Sequence, residues 1–262
     1  MDHLQSIKQL LQPTTQQHLI ERYALIKKIL KSLHIDDKSI TPSGVAWAIS
    51  SAKNELVGPE KYRSLAGSRI QLVAADVYPI YQRELHKARA MDFDDLIMQL
   101  VKLFQNEHDV LEKYQNLFRY ILIDEYQDTN LVQKEIVELM SEKSKNILVV
   151  GDDAQSIYSF RGATIENILQ FQKDYDDVKV VKLEQNYRST RNILETANEV
   201  IKQNKGQIEK VLFTDNQEGE KIRQVRTMTD NDEGKFVADT IQEYKLRNHY
   251  QNKDFAILYR TN

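Results

Sequence analysis

The sequence ILIDEYQDT at residues 121–129 and the sequence GDDAQSIYSFRGA at residues 151–163 decide the fold of this 262-residue chain. We call them the DEYQDT segment and the GDDAQ segment. At both places an apolar run stops abruptly at acidic and polar residues. A strand that only builds a core has no packing reason to end in Asp124-Glu125, whereas a nucleotide site needs carboxylates beside a magnesium ion and an attacking water. The two segments therefore indicate nucleotide chemistry.

The composition is that of a folded globular protein, with 41% hydrophobic and 29% charged residues. No apolar run approaches the ~20 residues that span a bilayer, so we expect no membrane partner. The absence of cysteine excludes disulfides, cysteine catalysis and thiolate metal sites, and it is compatible with the cytoplasmic location that we expect. Because a net charge of −3 gives no general attraction to nucleic acid, any DNA contact must be local.

Apolar residues recur at helical spacing through roughly the first hundred residues, which predicts an N-terminal helical subdomain. A long helix is expected over residues 69–89, and Pro79 predicts a kink or a break in it. Asp94 is a candidate N-terminal cap for the following helix.

The pattern changes at Tyr120, from where apolar runs alternate with helical patterns. The runs at 120–123 and 147–150 are continuously apolar, which is typical of strands buried on both faces of a parallel sheet. Further strands are predicted at 178–183, 211–213, 222–228 and 255–259, and helices at 131–140, 165–171, 189–204 and 233–246. This alternation predicts an α/β fold with an open parallel sheet.

The acidic pair that ends the first strand is the leading candidate for catalysis, because ligand sites of open α/β sheets lie beyond the carboxyl ends of the strands. Asp124 would hold Mg²⁺ directly or through water, and Glu125 would deprotonate the water that attacks a γ-phosphate. The alternative is an acidic turn that caps the helix at 131–140. Gln127 and Asp128 favour the nucleotide site, because simple capping does not need them.

The GDDAQ segment brings Gln155 to the same predicted sheet edge, where an amide can contact both a phosphate oxygen and water. Tyr158 and Phe160, followed by Arg161, suit stacking on unpaired bases, which contributes about 1–3 kcal/mol per base. The alternative is that the two aromatic side chains belong to the core. The phosphate-type residues a few positions earlier favour DNA binding.

A third segment, LEQNYRST at residues 183–190, lies between a predicted strand and a predicted helix. Arg188 is therefore placed to reach across an interdomain cleft, and such an arginine accelerates phosphoryl transfer by about 10³–10⁵. Tyr187 could stack on a nucleobase. Taken alone, this segment would read as an ordinary helix start.

Together, in this order and spacing, the three segments resemble motifs II, III and IV of the UvrD/Rep family of superfamily 1 DNA helicases. SAKNEL at 51–56 and MDFDDLI at 91–97 resemble the helical 1B region and its return into domain 1A, and DFAILYRTN at 254–262 resembles a strand of domain 2A. The resemblance implies a RecA-like parallel sheet of the P-loop NTPase type. It divides the chain into a 1B-like helical subdomain (1–90), the C-terminal part of domain 1A (91–177) and the start of domain 2A (178–262).

The resemblance also implies the role of each matched residue. Asp124 would bind Mg²⁺ together with Glu125. Glu125 would also act as the catalytic base. Gln155 would sense the γ-phosphate, Arg188 would be its arginine finger, and Tyr187 would stack on adenine. The DNA track would contain Tyr158, Phe160 and Arg161. Phe160 stands where family members often have Trp, and Ala154 replaces a frequent Asp, which puts a polar role at position 154 in doubt.

The family further implies ATP as cofactor and 3′→5′ movement on single-stranded DNA and its junctions with duplex, together with repair or replication proteins. No G-x-x-x-x-G-K-[ST] phosphate loop occurs in the 262 residues, and the later motifs V and VI are not matched, so the chain by itself is expected to hydrolyse ATP negligibly. Two alternatives stay open: a non-catalytic module that binds DNA or protein, and part of a helicase–nuclease subunit.

Overall fold

A computed structural model describes residues 15–156, 162–175 and 177–259, with side chains from residue 21 onward. The chain forms two compact units. The first unit contains the residues up to Val181 together with Asn204–Glu209, and the second contains Lys182–Gln203 and the residues from Lys210 onward. The finer division into residues 1–90, 91–177 and 178–262 stays a prediction.

The first unit begins with a series of helices: α1 (Thr15–Ser32), α2 (Pro42–Asn54), α3 (Pro59–Leu65), α4 (Arg69–Lys87), α5 (Phe93–Asn106) and α6 (His108–Leu117). Proline stands at the start of α2 and of α3, where its missing N–H costs nothing. Thr41 caps α2 by accepting a hydrogen bond from the backbone N–H of Gly44 at 3.1 Å. The sequence breaks at these prolines are therefore helix starts.

The predicted cap of α5 is wrong, and of the kink or break predicted at Pro79 the break is absent. Asp92, and not Asp94, caps α5: its backbone is extended, and its Oδ1 accepts a hydrogen bond from the backbone N–H of Asp95 at 2.8 Å. Asp94 lies inside the first turn. Helix α4 runs through Pro79 without a break. Side chains on both sides of the proline, including Tyr78 and Tyr81, are buried in the core, and this packing offsets the lost backbone hydrogen bond.

The core of this helical bundle lies between α1, α2 and α4. Its members are apolar side chains that recur at helical spacing on the inner face of each helix. They include Ile26, Ile29, Leu30, Val45, Ile49, Val77 and Tyr78. The predicted helical subdomain is thus a packed bundle whose core does not depend on the sheet.

A buried lysine joins this bundle to α5. Lys53, the penultimate residue of α2, is 1% exposed, and its Nζ lies 2.8 Å from Asp92 Oδ2 and 2.8 Å from Asp95 Oδ1. The rings of Tyr78 and Tyr81 lie 5.9 and 5.3 Å from the same nitrogen. The Tyr81 hydroxyl also donates to Asp92 Oδ2 at 2.9 Å. One ammonium group therefore connects α2, α4 and α5.

Two carboxyl groups near this lysine, those of Asp92 and Asp94, have pKa values shifted in opposite directions. Burial disfavours the charged form of Asp92, but the Lys53 ammonium overrides burial and holds the pKa of that carboxyl below its usual value. Burial raises the pKa of Asp94, which accepts a hydrogen bond from Ser50 Oγ at 2.6 Å. The stabilisation from Asp92 is therefore lost as the pH falls through its folded-state pKa, whereas that from Asp94 is lost as the pH rises through its folded-state pKa.

The sheet follows α6 and has two parallel strands in the described residues, β1 (Ile121–Ile123) and β2 (Ile147–Val149), paired in register from Ile121 with Ile147. Helix α7 (Leu131–Ser141) connects them, and α8 (Glu166–Asp174) follows. Ile123, Ile147 and Val149 pack against a small core of Tyr126, Ile168 and Phe171. The α/β character is present, but this sheet is smaller than predicted.

The prediction that both faces of these strands are buried is wrong. Leu122 is 72% exposed and Leu148 is 51% exposed. Side chains alternate between the two faces of a strand, so these leucines lie opposite the small core, on a face that no described element covers. A continuous apolar run does not by itself say which element covers each face.

The second unit contains α9 (Arg191–Ile201) and α10 (Asp230–Asn248). Of the strands predicted beyond residue 177, the described residues retain a single parallel bridge, between Gln185 and Phe213. A strand requires a partner strand along its length, and the described residues form no strand in the other apolar runs, where side chains such as Leu183 and Leu258 are mostly exposed. No helix among the described residues is both long and apolar enough to cross a membrane.

Replacing Lys53 with methionine should lower the free energy of unfolding of the first unit by about 3–5 kcal/mol, because Asp92 and Asp95 would stay buried without a cation. The measurement is urea unfolding followed by the fluorescence of Trp47, the single tryptophan of the chain, which lies on α2.

Lys143 provides the matched control, because its ion pair with Glu112 is solvent-exposed. Lys143→Met should change the same free energy by less than about 1 kcal/mol. Equal shifts for the two variants would contradict a structural role for the Lys53 cluster.

Candidate functional site

The DEYQDT and GDDAQ segments meet at the carboxyl ends of the paired strands β1 and β2. The backbone N–H of Val150 donates to the carbonyl oxygen of Ile123 at 2.8 Å, and the N–H of Tyr126 donates to the carbonyl oxygen of Val150 at 2.9 Å. These bonds continue the parallel ladder beyond the strands. The polar residues that follow each strand are thus held at one sheet edge.

Glu125 has a left-handed backbone, with φ 51° and ψ 42°. This conformation is unfavourable for a residue with a side chain, by about 1–2 kcal/mol. It turns the chain from β1 into the short helical turn Tyr126–Asp128, and the Glu125 N–H donates to Asp124 Oδ1 at 2.9 Å. The carboxylates of Asp124 and Glu125 are both solvent-exposed at this bend.

Gln127 connects the two segments through its side-chain amide. It is 1% exposed, its Nε2 donates to Glu125 Oε2 at 2.8 Å, and its Oε1 accepts from the backbone N–H of Asp152 at 3.0 Å. Ser156 Oγ also donates to the Gln127 carbonyl oxygen at 3.3 Å. Gln127 therefore orients the Glu125 carboxylate and fixes its position relative to the GDDAQ segment. The sequence showed that Gln127 is not needed for capping, but it did not reveal this bridge.

The Gln127 amide favours glycine at position 151. A Cβ atom added to Gly151 would lie 2.6 Å from Gln127 Oε1 and 2.8 Å from Ile168 Cδ1. Both distances are shorter than carbon contacts in folded proteins allow. The glycine that ends the second apolar run is thus explained by the close approach of the first segment.

Gln155 lies in a second helical turn, Asp153–Gln155, at the same edge. Its Nε2 donates to Asp152 Oδ2 at 2.7 Å, and Asp152 Oδ1 accepts from the backbone N–H of Ala154 at 3.0 Å. Ala154 thus contributes through its backbone, which needs no polar side chain. The exposed Gln155 amide is held by Asp152, and its role as a phosphate sensor stays a prediction.

The other predicted site residues are placed as follows. Tyr187 and Arg188 precede α9 in the second unit, where Asn186 Oδ1 accepts from the Arg188 N–H at 2.9 Å and organises the turn. Tyr187 is 80% exposed, and its hydroxyl donates to Gln185 Oε1 at 2.8 Å. The predicted DNA-contacting residues, which are Tyr158, Phe160 and Arg161, lie outside the described residues.

The donor set fits a nucleotide-bound magnesium ion better than a metal centre built from protein alone. In the described part of the chain, no three His, Cys, Asp or Glu side chains lie together as a metal site. Mg²⁺ bound with a nucleotide takes one or two carboxylates from the protein and its other ligands from phosphate and water. Asp124 is exposed at the strand end, and its role as a magnesium ligand stays a prediction.

The chain is similar in sequence to known helicases. The family described as UvrD/REP helicase N-terminal domain matches residues 1–176, and the UvrD-like helicase C-terminal domain matches residues 181–262. The chain is 46% identical over 238 residues to the ATP-dependent DNA helicase PcrA of Leuconostoc citreum, covering 91% of this chain and 32% of that protein. It is 48% identical over 242 residues to the helicases of the same name from Bacillus subtilis (strain 168) and Staphylococcus aureus (strain Mu50), covering 92% of this chain and 33% of each. The chain thus spans about a third of the length of these curated relatives.

Gly151→Ala should lower the free energy of unfolding by about 1–3 kcal/mol, because the added methyl group displaces Gln127 or Ile168. Gly67→Ala is the control, since its added Cβ would have its nearest neighbour at 3.9 Å. That change should be neutral or stabilising by up to about 1 kcal/mol. Urea unfolding followed by circular dichroism measures both, and a neutral Gly151→Ala would contradict the close approach.

Proposed function

The chain belongs to the UvrD/REP helicase family, and we propose that it supplies part of an ATP-dependent DNA helicase that moves along single-stranded DNA. The observation that carries the proposal is the Gln127 bridge, in which the side-chain amide donates to the Glu125 carboxylate and accepts from the backbone N–H of Asp152. The relatives named above are ATP-dependent DNA helicases, and about half of the aligned residues are shared with them. Both observations support ATP hydrolysis as the chemistry of this edge.

In the proposed reaction Glu125 is the catalytic base. Its carboxylate accepts the proton of the water that attacks the γ-phosphate, and Gln127 keeps that carboxylate in a fixed direction. Asp124 would hold the Mg²⁺ ion of bound ATP, which neutralises phosphate charge when present. The left-handed backbone of Glu125 supports this assignment, because it places two adjacent carboxylates at one bend.

Three further residues are proposed to respond to the nucleotide. Gln155 is the γ-phosphate sensor, positioned by its hydrogen bond to Asp152 at 2.7 Å. Arg188 is the arginine finger and Tyr187 stacks on adenine. The exposure of the Tyr187 ring supports the stacking role, since a buried ring could not meet a base.

The DNA track is proposed to contain Tyr158, Phe160 and Arg161. These residues follow Gln155 by only three to six positions in the sequence. A change in the nucleotide contacts of Gln155 would therefore be passed along the chain to the DNA contacts. We further propose 3′→5′ movement, junctions of single-stranded and duplex DNA as substrates, repair or replication proteins as partners, and a cytoplasmic location.

The 262-residue chain by itself should show negligible ATP turnover, because no G-x-x-x-x-G-K-[ST] phosphate loop occurs in it. The measurement is phosphate release with Mg²⁺, in the presence and absence of single-stranded DNA. DNA-stimulated turnover that disappears in Glu125→Gln would contradict this prediction.

The catalytic assignment is tested in the protein expressed from the complete reading frame that contains this chain. Glu125→Gln should lower ATP turnover by about 10²–10⁴, because glutamine cannot accept the proton, while ATP binding persists. Glu60→Gln, an exposed change in the first turn of α3, is the control and should leave turnover unchanged.

Two outcomes would overturn the proposal. Full ATP turnover in Glu125→Gln would show that Glu125 is not the catalytic base. A complete reading frame that lacks a phosphate loop, and whose product binds DNA without hydrolysing ATP, would favour a non-catalytic binding module.

A further inference from the structure

Asn54 lies where the helical bundle meets the two site segments. It is the last residue of α2, and its Oδ1 accepts a hydrogen bond from Asn130 Nδ2 at 2.8 Å, across 76 positions of sequence. Asn130 is 7% exposed and directly follows the DEYQDT segment. The bond therefore links the bundle to the end of the segment that contains Asp124 and Glu125.

The direction of this hydrogen bond is determined by the neighbouring helix cap. Asn130 caps α7: its Oδ1 accepts from the backbone N–H of Gln133 at 2.9 Å, and its own N–H donates to Gln133 Oε1 at 3.0 Å. Because the cap uses the amide oxygen, the amide nitrogen must donate elsewhere. Asn54 provides the acceptor that this buried N–H group needs.

The end of the GDDAQ segment lies near Asn54 and Asn130. Gly162, with φ 79°, is packed so that an added Cβ would lie 3.4 Å from Asn54 Cβ and 3.9 Å from Asn130 Cβ. Two residues later, the Thr164 N–H donates to the carbonyl oxygen of Thr129 at 3.1 Å. The chain just after the proposed DNA residues is thus hydrogen-bonded to the end of the DEYQDT segment, and the next residue, Asn130, is hydrogen-bonded to Asn54.

The bundle side of this contact is rigid. Lys53, adjacent to Asn54, is buried between Asp92 and Asp95, so the end of α2 cannot shift without separating these charges. A displacement of Asn130 must therefore either break its hydrogen bond to Asn54 or move α2 with it.

We propose that Asn54 is a positioning residue that couples the helical bundle to the DNA-binding and ATP-hydrolysing segments. This proposal rests on the proposed function and adds to it a residue that lies outside the nucleotide site. A displacement at Thr164 on DNA binding passes through its hydrogen bond to Thr129 and reaches Asn130, and Asn54 transmits it to the bundle. Without the Asn54 acceptor, DNA binding and ATP turnover become less strongly linked.

The test uses Asn54→Leu, which keeps the size of the side chain and removes the acceptor, in the protein expressed from the complete reading frame. The ratio of DNA-stimulated to DNA-free ATP turnover should fall about tenfold, the factor that corresponds to losing one hydrogen bond to a buried group. Asn54→Asp retains an acceptor oxygen and should restore most of the ratio. DNA-free turnover should stay unchanged in Asn54→Leu, whereas a general loss of structure would lower the DNA-free and the DNA-stimulated rates together.

Asn106→Leu is the matched control. Asn106 is also the last residue of its helix, α5, and its amide donates only locally, to the Lys102 carbonyl oxygen at 2.8 Å. The ratio should stay as in the unchanged protein. An unchanged ratio in Asn54→Leu, or an equal loss in Asn54→Leu and Asn54→Asp, would overturn the proposal.

Amide hydrogen exchange on the 262-residue chain separates this proposal from the proposed function. In Asn54→Leu the amides of Gln133 and Thr164 should exchange about tenfold faster, while those of α4 keep their rates. Unchanged exchange at both amides would overturn the contact itself. Faster exchange in a protein without ATP turnover would reject the helicase function and the coupling role, and would leave the contact as structural.

Discussion

A lysine ammonium buried in a protein interior needs carboxylates beside it, and this constraint at Lys53 organises the first unit. Asp92 and Asp95, at the beginning of α5, form ion pairs with the Lys53 ammonium, and the rings of Tyr78 and Tyr81 in α4 lie beside it. The end of α2 is thereby held in one place. The bundle and the polypeptide that leads into the sheet are joined by charge pairing, and not only by apolar contact.

The candidate site depends in turn on buried amides, which bring together segments that the chain keeps apart. Gln127 spans from the Glu125 carboxylate to the backbone of Asp152, and Asn130 spans from its own helix cap to Asn54. A buried amide without partners costs free energy, so each contact is directional and specifies one arrangement. The two segments are therefore kept in register by side-chain hydrogen bonds at a sheet edge that has only two strands in the described residues.

The sequence predicted features that depend on interactions between nearby residues better than features that depend on interactions between distant residues. Helices were predicted well because apolar spacing and caps lie within a few residues of each other, although Asp92 took the cap assigned to Asp94. The strands predicted at 178–183, 222–228 and 255–259 failed because a strand exists only with a partner, and spacing along one segment does not identify a partner. The prediction that Leu122 is buried failed for a related reason, since an apolar run does not show whether another element covers the second face of the strand.

The sequence by itself determined the family, the position of the acidic residues at strand ends, and the identity of the residues proposed for ATP and DNA. These properties depend on short contiguous segments, whose residue types indicate their chemistry before the fold is known. Only the tertiary structure decided that Gln127 orients Glu125, that Gly151 makes room for it, and that Asn54 receives Asn130. Such contacts join residues up to 76 positions apart, and their distances and directions arise only when the helices and strands have packed.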